Sequence, residues 1–270
     1  MTIVTISRGS YSMGKAVAEE VAKRLNFACI SRDVLLEASA QFNRPEVQLH
    51  HAISDAPSFL DRITHGRQKY IAFIQSALVR HVCQDNIVYH GLGGHLLLKD
   101  ISHVLKVRIV ADLEVRAQVV MKRDQITHAE AVKLIHKLDQ DRHKWTRTLY
   151  GVEPWDASLY DLQLNVPRYK VADAAQIICQ SVEMNAFKTT AESRQAIQDL
   201  ALACQVKAAL ADDFPLISVT CHYGNVVVYG VSGDRQARKL RSGIDAIRPA
   251  IDGIHNIEAH ADVAPPAGAV

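Results

Sequence analysis

The stretch Ile3-Val4-Thr5-Ile6-Ser7-Arg8-Gly9-Ser10-Tyr11-Ser12-Met13-Gly14-Lys15 decides how this chain is read. Thr2 to Ile6 is a short β-branched, apolar run, the pattern of a strand buried in a sheet. Val17, Val21 and Leu25 then recur four residues apart, which predicts a helix from Gly14 to Leu25 with one buried stripe. Between strand and helix, Gly9 to Lys15 fits G-x-x-x-x-G-K. Such a turn aims backbone N–H groups and the positive helix end at one point, where phosphate oxygens bind, and Lys15 adds a point charge. Two glycines would also serve a plain tight turn, but the flanking strand and helix favour the phosphate loop. The candidate nucleotide-binding residues are therefore Gly9, Ser10, Tyr11, Ser12, Met13, Gly14, Lys15 and Ala16. A Ser or Thr after the lysine ordinarily holds Mg²⁺. Here Ala16 and Val17 follow, which leaves Ser10, Ser12, or the substrate and water to hold the metal.

Working outward, Phe27–Ile30, Asn86–His90, Val104–Ala111 and Leu162 to Leu164 read as further strands, with Lys106 and Arg108 weakening the third of these. Helices are expected from Ser31 as an N-cap, over a broken stretch from Pro45 to Asp85, from Asp112 to Asp124, and from Val171 to Phe187. Another opens at the capping box Thr127-His128-Ala129-Glu130 and runs to about Arg147. Strands alternating with helices predict an α/β fold with a parallel sheet covered on both faces. After Lys188 the texture changes. A capping box at Thr189 to Glu192, a helix to Ala211, a hairpin over Ile217–Tyr223 and Val226–Tyr229, a helix from Asp234 and a strand from Ile254 spell αββαβ. The expected domains are residues 1–187, 188–263 and a flexible tail over 264–270.

Composition narrows the function. A net charge of +2 on 270 residues argues against a nucleic-acid or acidic-membrane partner, so any basic site must be local. No run approaches the roughly 20 apolar residues of a membrane helix. Five dispersed cysteines and no leader point to a reducing, cytoplasmic setting. The thirteen histidines, His50-His51 included, show no chelating pattern, so no protein metal ligands are assigned.

Taken together, these segments resemble the cytidylate kinase-like family of P-loop nucleoside monophosphate kinases. The resemblance spans Thr2 to Phe187. It rests on Thr5 to Arg8 before the loop, Ile30 to Leu35, Asn86 to Gly93, Val107 to Ala111 with Arg116, Arg123-Asp124, Lys137 to Arg142, and Tyr160 to Asn165. It implies ATP and Mg²⁺ as cofactors, with Lys15 as the loop lysine. Asp33 would lie near the acceptor nucleoside, together with Arg62, Arg67, Gly91 and Gly93. Pro45 to Asp85 would be the acceptor-gripping insertion and Asp124 to Gly151 an arginine-rich lid. Arg116, Arg123, Asp139 and Arg142 would be its charged machinery. Arg116 and Arg123 are seven apart and Asp139 and Arg142 three apart, so each pair shares a helix face. Leu92 stands in the glycine turn where the family usually carries arginine.

The C-terminal unit resembles a BON domain on Val206–Leu210, Ile217–Val219, Gly224–Gly230 and Gly253–Ile257. That implies a module for a partner, a small ligand or homo-oligomer assembly. Two functions follow. One is ATP-dependent phosphoryl transfer to a nucleoside monophosphate (CMP or dCMP by resemblance) or a similar small phosphorylated acceptor. The other, motivated by Ala16 and Leu92, is a catalytically weak nucleotide-binding regulator whose BON-like module binds a partner or ligand.

Overall fold

The computed structural model of the chain describes residues 2–31, 33–54, 66–91, 93–166 and 168–270. In chain order its elements are β1 (Ile3–Arg8), α1 (Gly14–Leu25), β2 (Ala28–Ile30), α2 (Asp33–Phe42), α3 (Glu46–Ser54), α4 (Gly66–Val82), β3 (Ile87–Tyr89), α5 (Gly94–Leu97) and β4 (Val104–Val110). There follow α6 (Leu113–Asp124), α7 (His128–Tyr150), β5 (Leu162–Asn165), α8 (Val171–Val182), α9 (Ala191–Leu210), β6 (Ser218–His222), β7 (Asn225–Tyr229), α10 (Asp234–Ile247) and β8 (Asn256–His260).

These elements form two compact units. One holds residues 2–33, 53–54 and 84–189; the other holds residues 34–52, 66–83 and 190–270. Compactness thus divides the chain otherwise than a sequential boundary at residue 187, because helices from its first third pack with its last.

The first unit carries a five-stranded sheet of order β2-β3-β1-β4-β5, every pairing parallel. Its central strand β1 is buried from Ile3 to Ile6, as a strand covered on both faces must be. Side chains alternate between faces. Val4 and Ile6 point to the face where Val17, Ala18 and Val21 of α1 pack with Ala174, Ala175 and Ile178 of α8. Thr5 points to the other, where α5 packs against β1. The chain passes from β1 over β3 to β2, whereas β4 lies on the opposite side of β1. The loop after β1 therefore opens at a topological switch point, the usual ligand site of such sheets.

Local signals set several boundaries. The α7 capping box is formed, with the Thr127 N–H donating to Glu130 Oε2 at 2.9 Å, and Gly151 closes the helix at φ 68°. β4 runs straight through Lys106 and Arg108. Lys106 has Asp161 at 3.7 Å and Arg108 lies over the Tyr160 ring at 5.5 Å, so both charges are accommodated by the two residues just before β5. Two expected caps are displaced. Helix α2 starts at Asp33, two residues after Ser31, whose N–H instead donates to the Asp33 carboxylate at 3.4 Å. Helix α9 is capped by Thr190 with Ser193, one residue later than expected, because the shorter serine hydroxyl reaches the Thr190 N–H at 2.9 Å.

In the second unit β6, β7 and β8 form a three-stranded sheet, β6–β7 antiparallel and β7–β8 parallel. The αββαβ order is as expected. Its core joins Ala203, Val206 and Leu210 of α9 with Val219, Val226, Val228, Leu240 and Ile257. Residues 264–270, expected to be a flexible tail, return to the sheet. Val219 and Val270 exchange both backbone N–H···O bonds at 3.0 Å, which satisfies part of the open edge of β6. In the same unit the Arg44 guanidinium grips Asp212 through both carboxylate oxygens at 2.7 Å, and Lys69 joins at 2.9 Å.

Candidate functional site

The loop Gly9–Lys15 closes on its own backbone. Tyr11 and Met13 adopt φ of 62° and 64°, the left-handed conformation that folds successive N–H groups toward one side. The buried Ser12 hydroxyl sits between the Gly9 carbonyl at 3.0 Å and the Ile109 carbonyl at 3.1 Å, while the Gly9 N–H donates to Ile109 at 3.2 Å. The loop is thereby tied to the end of β4. Gly14 must be glycine, since a Cβ there would meet the Arg8 Cβ at 2.8 Å. Lys15 stands largely exposed, with Glu19 at 3.6 Å one turn on.

The expected lid residues converge on this loop. Arg116, on α6, donates from Nε to the Ser10 carbonyl at 2.7 Å and from Nη2 to Asp139 of α7 at 2.6 Å. Arg142 reaches from α7 to the Arg8 carbonyl. Arg123 lies over the Tyr11 ring at 4.6 Å and donates to its hydroxyl at 3.0 Å, while a bidentate bond to Asp124 holds its pKa above the usual arginine value. The packing behind this is an apolar seam of Ala117, Val120, Ala131 and Ile135, which locks α6 against α7.

Around the loop, positive charge is in surplus. Burial lowers the pKa of Arg8, Arg108 and Arg142, Arg142 being opposed by Asp139 and reinforced by the charges of Arg8 and Arg116. Arg8, Lys15, Arg108, Arg116 and Arg142 outnumber the carboxylates Asp139 and Glu19. A partly desolvated surplus of this kind is unfavourable without an anion and favourable with one. Two histidines flank the glycine turn. His95 stacks on Tyr160 at 4.8 Å, and burial, then Arg108, Lys106 and Arg142, push its pKa down to about 3. Burial and Arg8 likewise lower His90. Both are neutral at pH 7, so neither supplies a cation there.

Of the expected acceptor residues, Gly91 and Gly93 lie in this unit and are explained by packing. A Cβ on Gly91 would fall 2.1 Å from the Tyr89 hydroxyl oxygen, and Gly93 sits at φ 72° against Trp145. Asp33 begins α2. Arg67 is buried within the second unit. Arg62 and Leu92 lie outside the described residues. Sequence reasoning missed Arg8, Arg108 and Tyr160 as site members. The signal was available: Arg8 directly precedes the loop, and a cation inside an otherwise apolar strand, as Arg108 is, needs a reason.

The site suits a triphosphate, through the loop backbone, Lys15 and the arginines. It suits a protein-held metal poorly. Ser12 is fully buried against two carbonyls, Ala16 has no side-chain oxygen, and no cluster of three or more His, Cys, Asp or Glu side chains occurs among the described residues. The Ser10 hydroxyl is the loop's remaining oxygen donor, so a magnesium ion would be carried by nucleotide phosphates and water.

Residues 3–168 match the model of the cytidylate kinase-like family, more than half of the chain. The chain belongs to the cytidylate kinase-like family. Among curated members it is 37% identical over 106 residues to a cytidylate kinase of Methanopyrus kandleri, a match spanning 37% of this chain and 55% of that protein. It is 24% identical over 183 residues to one of Methanocaldococcus jannaschii, which covers 67% of this chain and 97% of that protein. The chain thus spans only about half the length of the first of these relatives. In three dimensions an uncharacterised protein of Eubacterium ventriosum shares the fold, with a TM-score of 0.52 at 18% identity over 68% of this chain and 100% of that one. The matched region ends before α8 and α9, so the C-terminal αββαβ unit lies beyond what the family accounts for. No described helix is long and apolar enough to cross a membrane.

Proposed function

We propose that this chain transfers a phosphoryl group from ATP·Mg²⁺ to a nucleoside monophosphate, CMP or dCMP before others, in the cytoplasm. One observation carries the reading: Arg116 and Arg142, from two lid helices, bond to carbonyls on and beside the phosphate loop that Lys15 completes. Phosphoryl transfer asks a protein chiefly to position its reactants and surround the moving charge with cations. In this reading the loop backbone and Lys15 hold the β- and γ-phosphates. Arg116, oriented by Asp139, and Arg142 face the transferring group, Arg8 and Arg108 add to the field, and Arg123 closes over Tyr11. A magnesium ion, which the nucleotide phosphates and water would hold, would neutralise phosphate charge. Asp33, Arg62, Arg67 and the helices α2 to α4 serve the acceptor, and the BON-like unit supports them or binds a partner, a small ligand or a second copy.

The test is ADP release from ATP·Mg²⁺ against a panel of nucleoside monophosphates. Acceptor-dependent turnover is expected, and Lys15→Ala should lower kcat on the order of 100-fold or more. Absence of turnover on every acceptor, with tight ATP binding, would overturn it in favour of a nucleotide-binding regulator. That second reading rests on the burial of Ser12 between the Gly9 and Ile109 carbonyls, which together with Ala16 leaves the loop poor in metal ligands.

A further inference from the structure

The second unit contains a cavity of about 600 Å³ that the phosphate chemistry does not use. One wall is a face of α9 bearing Gln195, Gln198, Leu202 and Gln205, spaced three, four and three apart so that they line up along the helix. The opposite wall is two loops, Tyr223-Gly224 and Ala250 to His255.

The cavity is open to solvent, and hydrogen bonds hold its walls together. Buried Asp199 of α9 accepts the N–H groups of Tyr223 at 2.8 Å and Gly224 at 3.1 Å, which pins the hairpin turn to the helix. The His255 N–H donates to the Gly224 carbonyl at 2.8 Å and stitches the two loops together. Gly224 has φ 74°, and a Cβ on it would strike the Gly253 carbonyl at 2.7 Å, so the wall admits no side chain there. The Gln198 amide and the Asp252 carboxylate, both exposed, and the half-buried Gln205 amide make no hydrogen bond among the described residues and are open to a ligand.

We propose that this cavity is a second binding site, for an uncharged nucleoside or free nucleobase. Its volume lies within the range of small-molecule pockets. A glutamine amide presents a coplanar donor and acceptor, which matches the edge of a nucleobase. Leu202 and Ile251 supply apolar surface for the flat faces of such a ring. Asp252 can accept from sugar hydroxyls, as an acidic residue does for ribose elsewhere. The lining contains no lysine or arginine and does contain Asp252, so a 5′-phosphate would meet a carboxylate and no counter-charge. Phosphorylated ligands are therefore disfavoured here, the opposite of the arginine-rich loop. Cys83, directly after α4, also lines the cavity, so an occupant would touch the end of an insertion helix.

The experiment is calorimetric titration of the full chain and of Lys15→Ala with cytidine, uridine, adenosine and guanosine, and with their 5′-monophosphates. At least one nucleoside should bind once per chain, equally in Lys15→Ala. Its affinity should fall about tenfold in Gln198→Ala/Gln205→Ala, an exposed and a half-buried position whose truncation leaves the core intact. The binding that Gln198→Ala/Gln205→Ala weakens should be at least about tenfold weaker for the matching monophosphate than for the nucleoside. No nucleoside binding at millimolar concentration overturns the proposal. So does binding lost in Lys15→Ala but unchanged by the glutamine substitutions, which would place the ligand at the phosphate loop. Nucleoside binding that the glutamine substitutions leave unchanged also overturns the proposal, and because Gln198 and Gln205 have no part in the kinase reading, the test fails or succeeds independently of it.

Discussion

Arg116 holds Asp139 at 2.6 Å while its Nε donates to the phosphate-loop carbonyl of Ser10 at 2.7 Å. One guanidinium therefore joins a carboxylate of α7 to the loop after β1. Its planar fork makes both bonds at once, which an ammonium on a flexible stem cannot reproduce. Arg116→Lys should retain the fold and lower kcat about 10- to 100-fold, with a smaller change in the KM for ATP. Asp139→Asn should do less, since it keeps an acceptor for Nη2. Steady-state kinetics on the three proteins decides this; an unchanged kcat in Arg116→Lys would remove the residue from the chemistry.

Ser12 makes the phosphate loop and the end of β4 one piece. Ser12→Ala removes its hydroxyl bonds to the Gly9 and Ile109 carbonyls at a fully buried site, and should cost about 1–3 kcal/mol. A guanidinium chloride melt would show a lower midpoint at unchanged slope.

The glycine turn after β3 is a steric fit. In Gly91→Ala the new methyl would overlap the Tyr89 hydroxyl by more than an ångström of normal contact, and Tyr89 is buried. Destabilisation of about 3 kcal/mol is expected, near the upper end for overpacking. Thermal unfolding near the wild-type temperature would show that the turn yields.

His95 sets a pH dependence of stability. Its pKa is about 3 in the folded chain, lowered first by burial and then by Arg108, Lys106 and Arg142, against 6.5 for the free group. The unfolded chain therefore binds the extra proton between those values. Stability is undiminished above about pH 6.5 and is lost as the pH falls toward 3, with a slope of at most about 1.4 kcal/mol per pH unit from this group. His95→Phe keeps the stack on Tyr160 and removes the titration. Its urea-derived stability should fall less between pH 6.5 and pH 4 than that of wild type; equal slopes would refute the assignment.

Asp212 ties the expected acceptor helices to the C-terminal unit through Arg44 and Lys69. These pairs are partly exposed, so Asp212→Ala should cost less than about 1 kcal/mol of stability. If α2 to α4 grip the acceptor, the substitution raises the acceptor KM several-fold and leaves the ATP KM alone. Equal effects on both, or none, would separate the C-terminal unit from acceptor binding.

Much of this was legible in local sequence. The β1–loop–α1 stretch combines a buried apolar run, G-x-x-x-x-G-K and a four-residue repeat, all of which depend on neighbours in the chain. The α7 capping box is local for the same reason, and the αββαβ order follows from short alternating segments. Caps shifted by one or two residues at Ser31 and Thr189 because several hydroxyls and carboxylates compete for the same orphan N–H groups, and small differences in reach decide among them.

What local sequence could not supply is everything that depends on distant residues meeting. Arg8 and Arg108 each carried a local hint, but that the two come together was decided only when parallel pairing set β1 beside β4 and brought both strand ends to one edge. Residues 264–270 looked free because their partner, Val219, is some fifty positions away. The grouping of α2 and α4 with α9 rests on helix packing and on the Arg44–Asp212 pair, across 168 positions. Sequence by itself determined the elements, their order and the phosphate loop, since those obey near-neighbour rules. Tertiary structure alone decided which charges converge, which helices share a core and where a second cavity opens, because contact energies between distant segments leave no periodic trace in either one.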